Sequence, residues 1–135
     1  MSLEIEQRER EGITILEMKG RITVGKEATA LREKIAELTA VSIRNVVLNL
    51  VGVDFIDSTG LGALVVCATS ARKAGGSVKL VNLNRRNIEL LVMTKLATVF
   101  EIFNDEQDAI NSYYPDRKLK TFDILDFVNR MKTEE

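Results

Sequence analysis

The stretch Val53-Asp54-Phe55-Ile56-Asp57-Ser58-Thr59-Gly60-Leu61-Gly62-Ala63-Leu64 gathers two carboxylates, two hydroxyls and two glycines in one place. It follows Asn45-Val46-Val47-Leu48-Asn49-Leu50-Val51, a run apolar enough for a strand buried on both faces. It leads into a helical period, Leu61, Leu64, Val65, Ala68 and Ala71, that stops at Ala74-Gly75-Gly76. A strand-to-helix junction of this kind lies at the carboxyl end of a parallel sheet, where open α/β folds place their sites. Asp57 or Ser58 can cap the helix through a side-chain oxygen. Alternatively, Ser58 is a phosphoacceptor. A phosphate adds about −1.5 to −2 charges, which the free amides of a helix start accept well. Glycine inside a helix costs about 1 kcal/mol relative to alanine. Gly60 and Gly62 therefore imply that another helix, a loop or a partner comes close to the backbone there.

Other chemistries lack their reagents. The 135 residues contain no histidine, which removes Ser-His-Asp and Cys-His catalysis and the commonest metal ligand. Hydrolysis by Ser58 would have to use lysine as its base. A phospho-aspartate at Asp54 or Asp57 needs a further acid pair near the first parallel strand to hold Mg²⁺, and Gly20-Arg21-Ile22-Thr23-Val24 supplies none. Cys67, the one cysteine, lies on an apolar helix face and reads as an inert core thiol. These features predict a chain that is not an enzyme and has no metal site and no cofactor. Lys+Arg total 19 and Asp+Glu 20, a net charge of −1, and no basic stripe suits direct nucleic-acid binding. The uncharged run Ser58 to Ala71 falls short of the roughly 20 residues that span a bilayer. The charged start MSLEIEQRER is unlike a signal peptide. A cytoplasmic location without membrane attachment is the expectation.

The elements that must position the junction can be read from the pattern. Ile13–Met18 and Arg21–Val24 are predicted as two strands joined by a tight turn at Gly20. Ala28, Leu31, Ile35 and Leu38 mark a helix. Val78–Leu83 reads as a strand and Arg85 to about Lys95 as a helix. Thr98–Phe103 fits a last strand or an extended connector. Asn104-Asp105-Glu106-Gln107 looks like a capping box opening a helix to about Tyr113. The order β-β-α-β-α-β-α-(β)-α implies an α/β fold. Its sheet is mixed but mostly parallel, with about four to five strands and about four helices packed mainly on one face. Pro115 breaks the chain, so the division is a domain over 1–114 and an extension over 115–135. The extension carries Phe122, Ile124, Leu125, Phe127, Val128 and Met131 among charges, the pattern of an amphipathic helix. Three roles stand open for it: covering a binding face, forming a homodimer, or extending the core.

The string Phe55-Ile56-Asp57-Ser58-Thr59-Gly60-Leu61-Gly62-Ala63-Leu64, between a buried strand and a helix ending in Gly75-Gly76, resembles the STAS domains of bacterial anti-sigma factor antagonists. Gly20-Arg21-Ile22 and Thr94-Lys95-Leu96-Ala97-Thr98-Val99-Phe100-Glu101-Ile102-Phe103 add to the resemblance, which spans Ile13 to Tyr113. It implies a STAS-like fold and a partner-switching regulator of transcription. In that family the unphosphorylated domain binds an anti-sigma factor, often itself a serine kinase, and so frees the sigma factor. The kinase uses ATP to phosphorylate the serine matching Ser58 (Thr59, the next hydroxyl, is the runner-up), the antagonist lets go, and a serine phosphatase resets it. The residues implied in partner binding are Asp57, Ser58, Thr59, Gly60, Leu61, Gly62 and Thr23. Many antagonists carry aspartates where this chain has Asn49 and Thr23. STAS-like domains also serve as scaffolds in stress-sensing assemblies, as accessory subunits of lipid transporters and as candidate nucleotide binders, and these are the alternatives.

Overall fold

Seven residues dense in charge, Glu4-Ile5-Glu6-Gln7-Arg8-Glu9-Arg10, form the first strand, β1 (Glu4–Arg10). It pairs antiparallel with β2 (Ile13–Ile22). Glu11 and Gly12 close the hairpin with φ of 52° and 82°. Two successive left-handed residues make the turn whose twist matches that of the flanking strands. The structure, a computed structural model, describes residues 3–118 and 122–134. It corrects the expected start of the chain. Gly20 makes no turn: it lies inside β2, where the register against the next strand shifts between Gly20 and Arg21. Thr23 and Val24 lie beyond the end of β2, in the connection to α1 (Lys26–Ala40).

The remaining elements are β3 (Asn45–Ile56), α2 (Ser58–Lys73), β4 (Ser77–Val81), α3 (Arg85–Met93), β5 (Glu101–Phe103), α4 (Glu106–Asn111) and α5 (Ile124–Glu134). The sheet order is β1-β2-β3-β4-β5, with every pair after the first parallel. This is the mixed, mostly parallel α/β sheet that the alternation of elements predicts. Its central strand, β3, outruns β4. The pairing with β4 ends at Asn49–Val81, while β2 follows β3 to Ile56. The free flank of β3 is held by α3 instead: the Asn87 side-chain amide donates to the Val53 carbonyl at 3.2 Å. The Asn84 amide likewise donates to the Asp54 carbonyl at 3.2 Å.

The period-2 alternation of the strands divides the interior into two layers. Leu16, Met18, Val46, Leu48, Leu50, Val78 and Leu80 face α1, α2 and Leu91 of α3, forming the main core. In α1 the predicted stripe of Ala28, Leu31, Ile35 and Leu38 is buried, and each leucine or isoleucine there contributes about 2 kcal/mol. On the other face, among the described residues, α4 is the helix that covers the sheet. Ala109 and Ile110 pack against Ile13, Ile15, Val47, Val81 and Phe103. A short helix leaves part of that face to polar groups. Glu106, at the start of α4, takes bonds from Arg8 at 2.5 Å and from Arg10, both on β1, and from the Asn49 amide at 3.1 Å. The Asn49 carbonyl oxygen in turn accepts from the Val51 backbone at 3.1 Å and from the Asn82 amide at 3.2 Å.

The extension adds to the main core rather than standing apart. Phe122 donates its backbone N–H to the Ile102 carbonyl at 3.0 Å, capping the outer edge of β5. Phe122 and Ile124 pack against the core, and Phe127 leans on Phe122 with ring centres 5.9 Å apart. Leu125 stays exposed. Among the described residues, no helix is long and apolar enough to cross a membrane.

Candidate functional site

Asp57 stands at the hand-over from β3 to α2, in extended backbone (φ −92°, ψ −179°), and is the residue that caps the helix. Its Oδ1 accepts from the Gly60 N–H at 2.7 Å, and its Oδ2 accepts from the Val24 N–H at 2.9 Å. One carboxylate therefore satisfies an orphan amide of α2 and pins the β2–α1 connection beside it. The Gly60 amide bond is foremost in holding the Asp57 carboxyl below its ordinary value, with the Val24 bond acting the same way. The cap ambiguity is thereby resolved. Ser58 is the first residue of the helix; it is exposed, and among the described residues its hydroxyl has no hydrogen-bond partner.

The two glycines of the first turns divide by role. A Cβ on Gly60 would lie 1.8 Å from the Ile22 carbonyl oxygen, so here the close approach comes from inside the fold, from the backbone at the end of β2. A Cβ on Gly62 would meet nothing within 4 Å, and the residue is exposed. The fold has no need of a glycine at that position. Of the residues the resemblance assigns to partner contact, Asp57, Ser58, Thr59, Gly62 and Thr23 reach the surface or its margin. Gly60 and Leu61 are buried; what they do is seat α2 on the sheet. Asn49, the other departure from the antagonist pattern, lies buried in the Glu106 network instead of at this junction.

The structure also brings in Val24, Leu90 and Met93, which the sequence pattern did not single out, and sets Phe55 and Ile56 of the motif beside them. Val24 is 67% exposed and sits on the segment that Asp57 holds. On the other side of the junction, Phe55, Ile56, Arg86, Leu90 and Met93 line a shallow depression of about 240 Å³. The Arg86 guanidinium lies 5.3 Å above the centre of the Phe55 ring, and Met93 is 78% exposed. Val24 carried a signal that misled, because a β-branched residue after Arg21-Ile22-Thr23 reads as strand. Asp54, the second carboxylate of the motif, is exposed. Among the described residues no group of three or more His, Cys, Asp or Glu is placed to hold a metal ion.

Comparison with known proteins identifies the family and the fold. The STAS domain family model matches residues 4–109. The anti-sigma-B factor antagonist of Bacillus subtilis (strain 168) is 34% identical over 102 residues, covering 76% of this chain and 92% of that protein. The crystal structure of an anti-sigma factor antagonist from Mycobacterium paratuberculosis superimposes with a TM-score of 0.70 at 22% identity, over 82% of this chain and 93% of that one. The Bacillus cell fate determinant SpoIIAA in its phosphorylated form matches with a TM-score of 0.62 at 18% identity, over 83% of this chain and 99% of that one. The last two likenesses concern the fold. With the family model and the Bacillus subtilis relative covering most of the sequence, this chain belongs to the STAS domain family and groups there with the anti-sigma factor antagonists.

Proposed function

We propose that this protein is a partner switch whose state is written on Ser58. Unphosphorylated, it binds an anti-sigma factor that is itself a serine kinase. The kinase transfers the γ-phosphoryl group of ATP to the Ser58 oxygen, the hydroxyl proton is lost, ADP leaves, and the complex separates. A serine phosphatase restores the hydroxyl. The STAS domain supplies the acceptor and the docking surface, while the kinase supplies the catalysis. The observation that carries this reading is the division of labour between neighbours: Asp57 does the capping, and the exposed Ser58 hydroxyl is left without a structural task. A dianion added there faces the amide end of a 16-residue helix, so the domain tolerates it. A partner pressed against the same surface must desolvate it, which costs several kcal/mol unless a cation answers it. SpoIIAA, which shares this fold, is known in a phosphorylated form, and that supports the same reading.

Incubation with the kinase and ATP, followed by mass spectrometry, should place a single phosphate on Ser58, with Thr59 as the alternative position. Ser58→Ala should bind the kinase irrespective of ATP, and Ser58→Glu should bind at least tenfold more weakly. Equal affinities of the two variants, or phosphate at neither hydroxyl, would remove the switch.

Gly62 offers an independent check on the surface. Alanine there has room and favours the helix, so Gly62→Ala should raise domain stability by about 0.5–1 kcal/mol in urea unfolding. If a partner approaches the backbone at this point, the same variant should weaken kinase binding. A stabilised variant with unchanged affinity would place Gly62 outside the contact.

A further inference from the structure

The two edges of the sheet are treated differently. The β5 edge is met by the extension through the Phe122 N–H. Among the described residues nothing pairs with the outer edge of β1, which runs for seven residues with its outward N–H and C=O groups open. An open edge is a template for another strand, and charges on it normally discourage pairing. The charges of β1 are arranged differently from a simple repellent row. When the strand is laid antiparallel against a second copy of itself about a two-fold axis at Gln7, Glu4 falls opposite Arg10, Glu6 opposite Arg8, and Gln7 opposite Gln7. Directly opposed residues share a face of the sheet, so Glu4 and Glu6 each meet an arginine on the same side, while Glu9 falls opposite Ile5.

Within one copy, Glu6 is poorly placed. Its cross-strand neighbour is Glu17, a like charge, and no ion pair to Glu6 occurs among the described residues. The arginine it would meet across the axis has capacity to spare. Arg8 donates from Nη1 to Glu106, and from Nη2 to Glu106 and Glu17. That leaves its Nε–H and one Nη1–H of the five donors a guanidinium carries, and the side chain keeps 32% of its exposure. We propose that β1 is a homodimerisation edge, pairing antiparallel with β1 of a second copy about Gln7 to give one continuous sheet across two domains. The two-fold reverses the parallel strands from one half to the other. The two Ser58 junctions then lie at opposite ends of the assembly, each accessible to its own partner.

The test uses the full chain. Sedimentation equilibrium should show a monomer–dimer equilibrium that tightens as ionic strength falls. Glu6→Lys should weaken it at least tenfold, because the substitution sets a cation against Arg8 of the second copy twice over. Within the domain it sets a cation against Glu17 in place of the like charge, so thermal stability should hold or rise; this separates loss of pairing from loss of fold. Gln7→Cys should form a covalent dimer under mild oxidation with oxidised glutathione. Opposed strand residues sit about 4.5–5.5 Å apart between Cα atoms, within disulfide range. Glu9→Cys, whose two copies would lie about 13 Å apart along the strand, should not. The native thiol, Cys67, is buried with its pKa pushed up to about 12 by burial, and stays silent. A monomer at all concentrations and low salt overturns the proposal. So does a dimer that survives Glu6→Lys, or one that cross-links no faster through Gln7→Cys than through Glu9→Cys.

Discussion

Gly60→Ala is expected to destabilise the domain by about 3 kcal/mol or more. The added carbon would lie 1.8 Å from the Ile22 carbonyl oxygen and 2.6 Å from its carbonyl carbon, both backbone atoms in the interior. Rotating a side chain cannot relieve that overlap, so α2 has to lift from β2. The same carbonyl oxygen accepts the Asp57 N–H at 3.2 Å, and the Asp57 carboxylate joins α2 to Val24. Displacement of the helix therefore strains the cap and the neighbouring connection together. Urea unfolding checks this through the midpoint at unchanged slope. Gly60→Ala and Gly62→Ala, two residues apart on one helix, should move that midpoint in opposite directions. Shifts of the same sign and size would contradict the placement of α2 against Ile22.

Removal of the Glu106 carboxylate is expected to have an effect of similar size. Glu106→Ala leaves Arg8, Arg10 and the Asn49 amide without their common acceptor beneath α4. Breaking a buried charge cluster on one side costs about 3–5 kcal/mol. Arg8 and Arg10 keep 32% and 39% exposure, and solvent screening brings the expected loss to about 2–3 kcal/mol. The same cluster sets a pH dependence. Burial works against the charge on Glu106, but the bonds from Arg8, Arg10 and Asn49 outweigh it and take the pKa from 4.5 down to about 2. The folded state thus binds this proton less readily than the unfolded chain. Its contribution is complete above pH 4.5 and is lost as pH falls from there toward 2. Chemical denaturation across that window should show the stability gap between the native protein and Glu106→Gln closing as the acid range is entered. A gap that stays constant from pH 6 to pH 3 would show that the carboxylate charge is not what holds β1 to α4.

The β3–α2 junction was legible because the hydrophobic pattern itself changes there, from the continuous run of a doubly buried strand to the steps of Leu61, Leu64 and Ala68. The choice between Asp57 and Ser58 as cap was not. Both residue types favour that position, and the second bond that commits Asp57 comes from Val24, far away in sequence. The contrast between Gly60 and Gly62 was invisible for a related reason. Their cost to the helix is the same, and only the tertiary approach of Ile22 tells them apart. β1 escaped the reading because it has one apolar side chain, Ile5, and an edge strand does not need the alternation by which strands are recognised. Gly20 is the opposite case: in sequence, a glycine that permits a register shift inside a strand looks the same as one that turns the chain.

Under the proposed switch at Ser58, the clasp made by Asp57 bears on how recognition would be turned off. With Thr23-Val24 tethered to the first turn of α2, the docking surface proposed above is ordered before any encounter, and under that proposal little conformational entropy remains to be lost on docking. A contour held that firmly cannot report a signal by changing its relief. What remains free to vary is the electrostatic potential above it, so the same moulded face can be attractive or repellent while its atoms stay where they are.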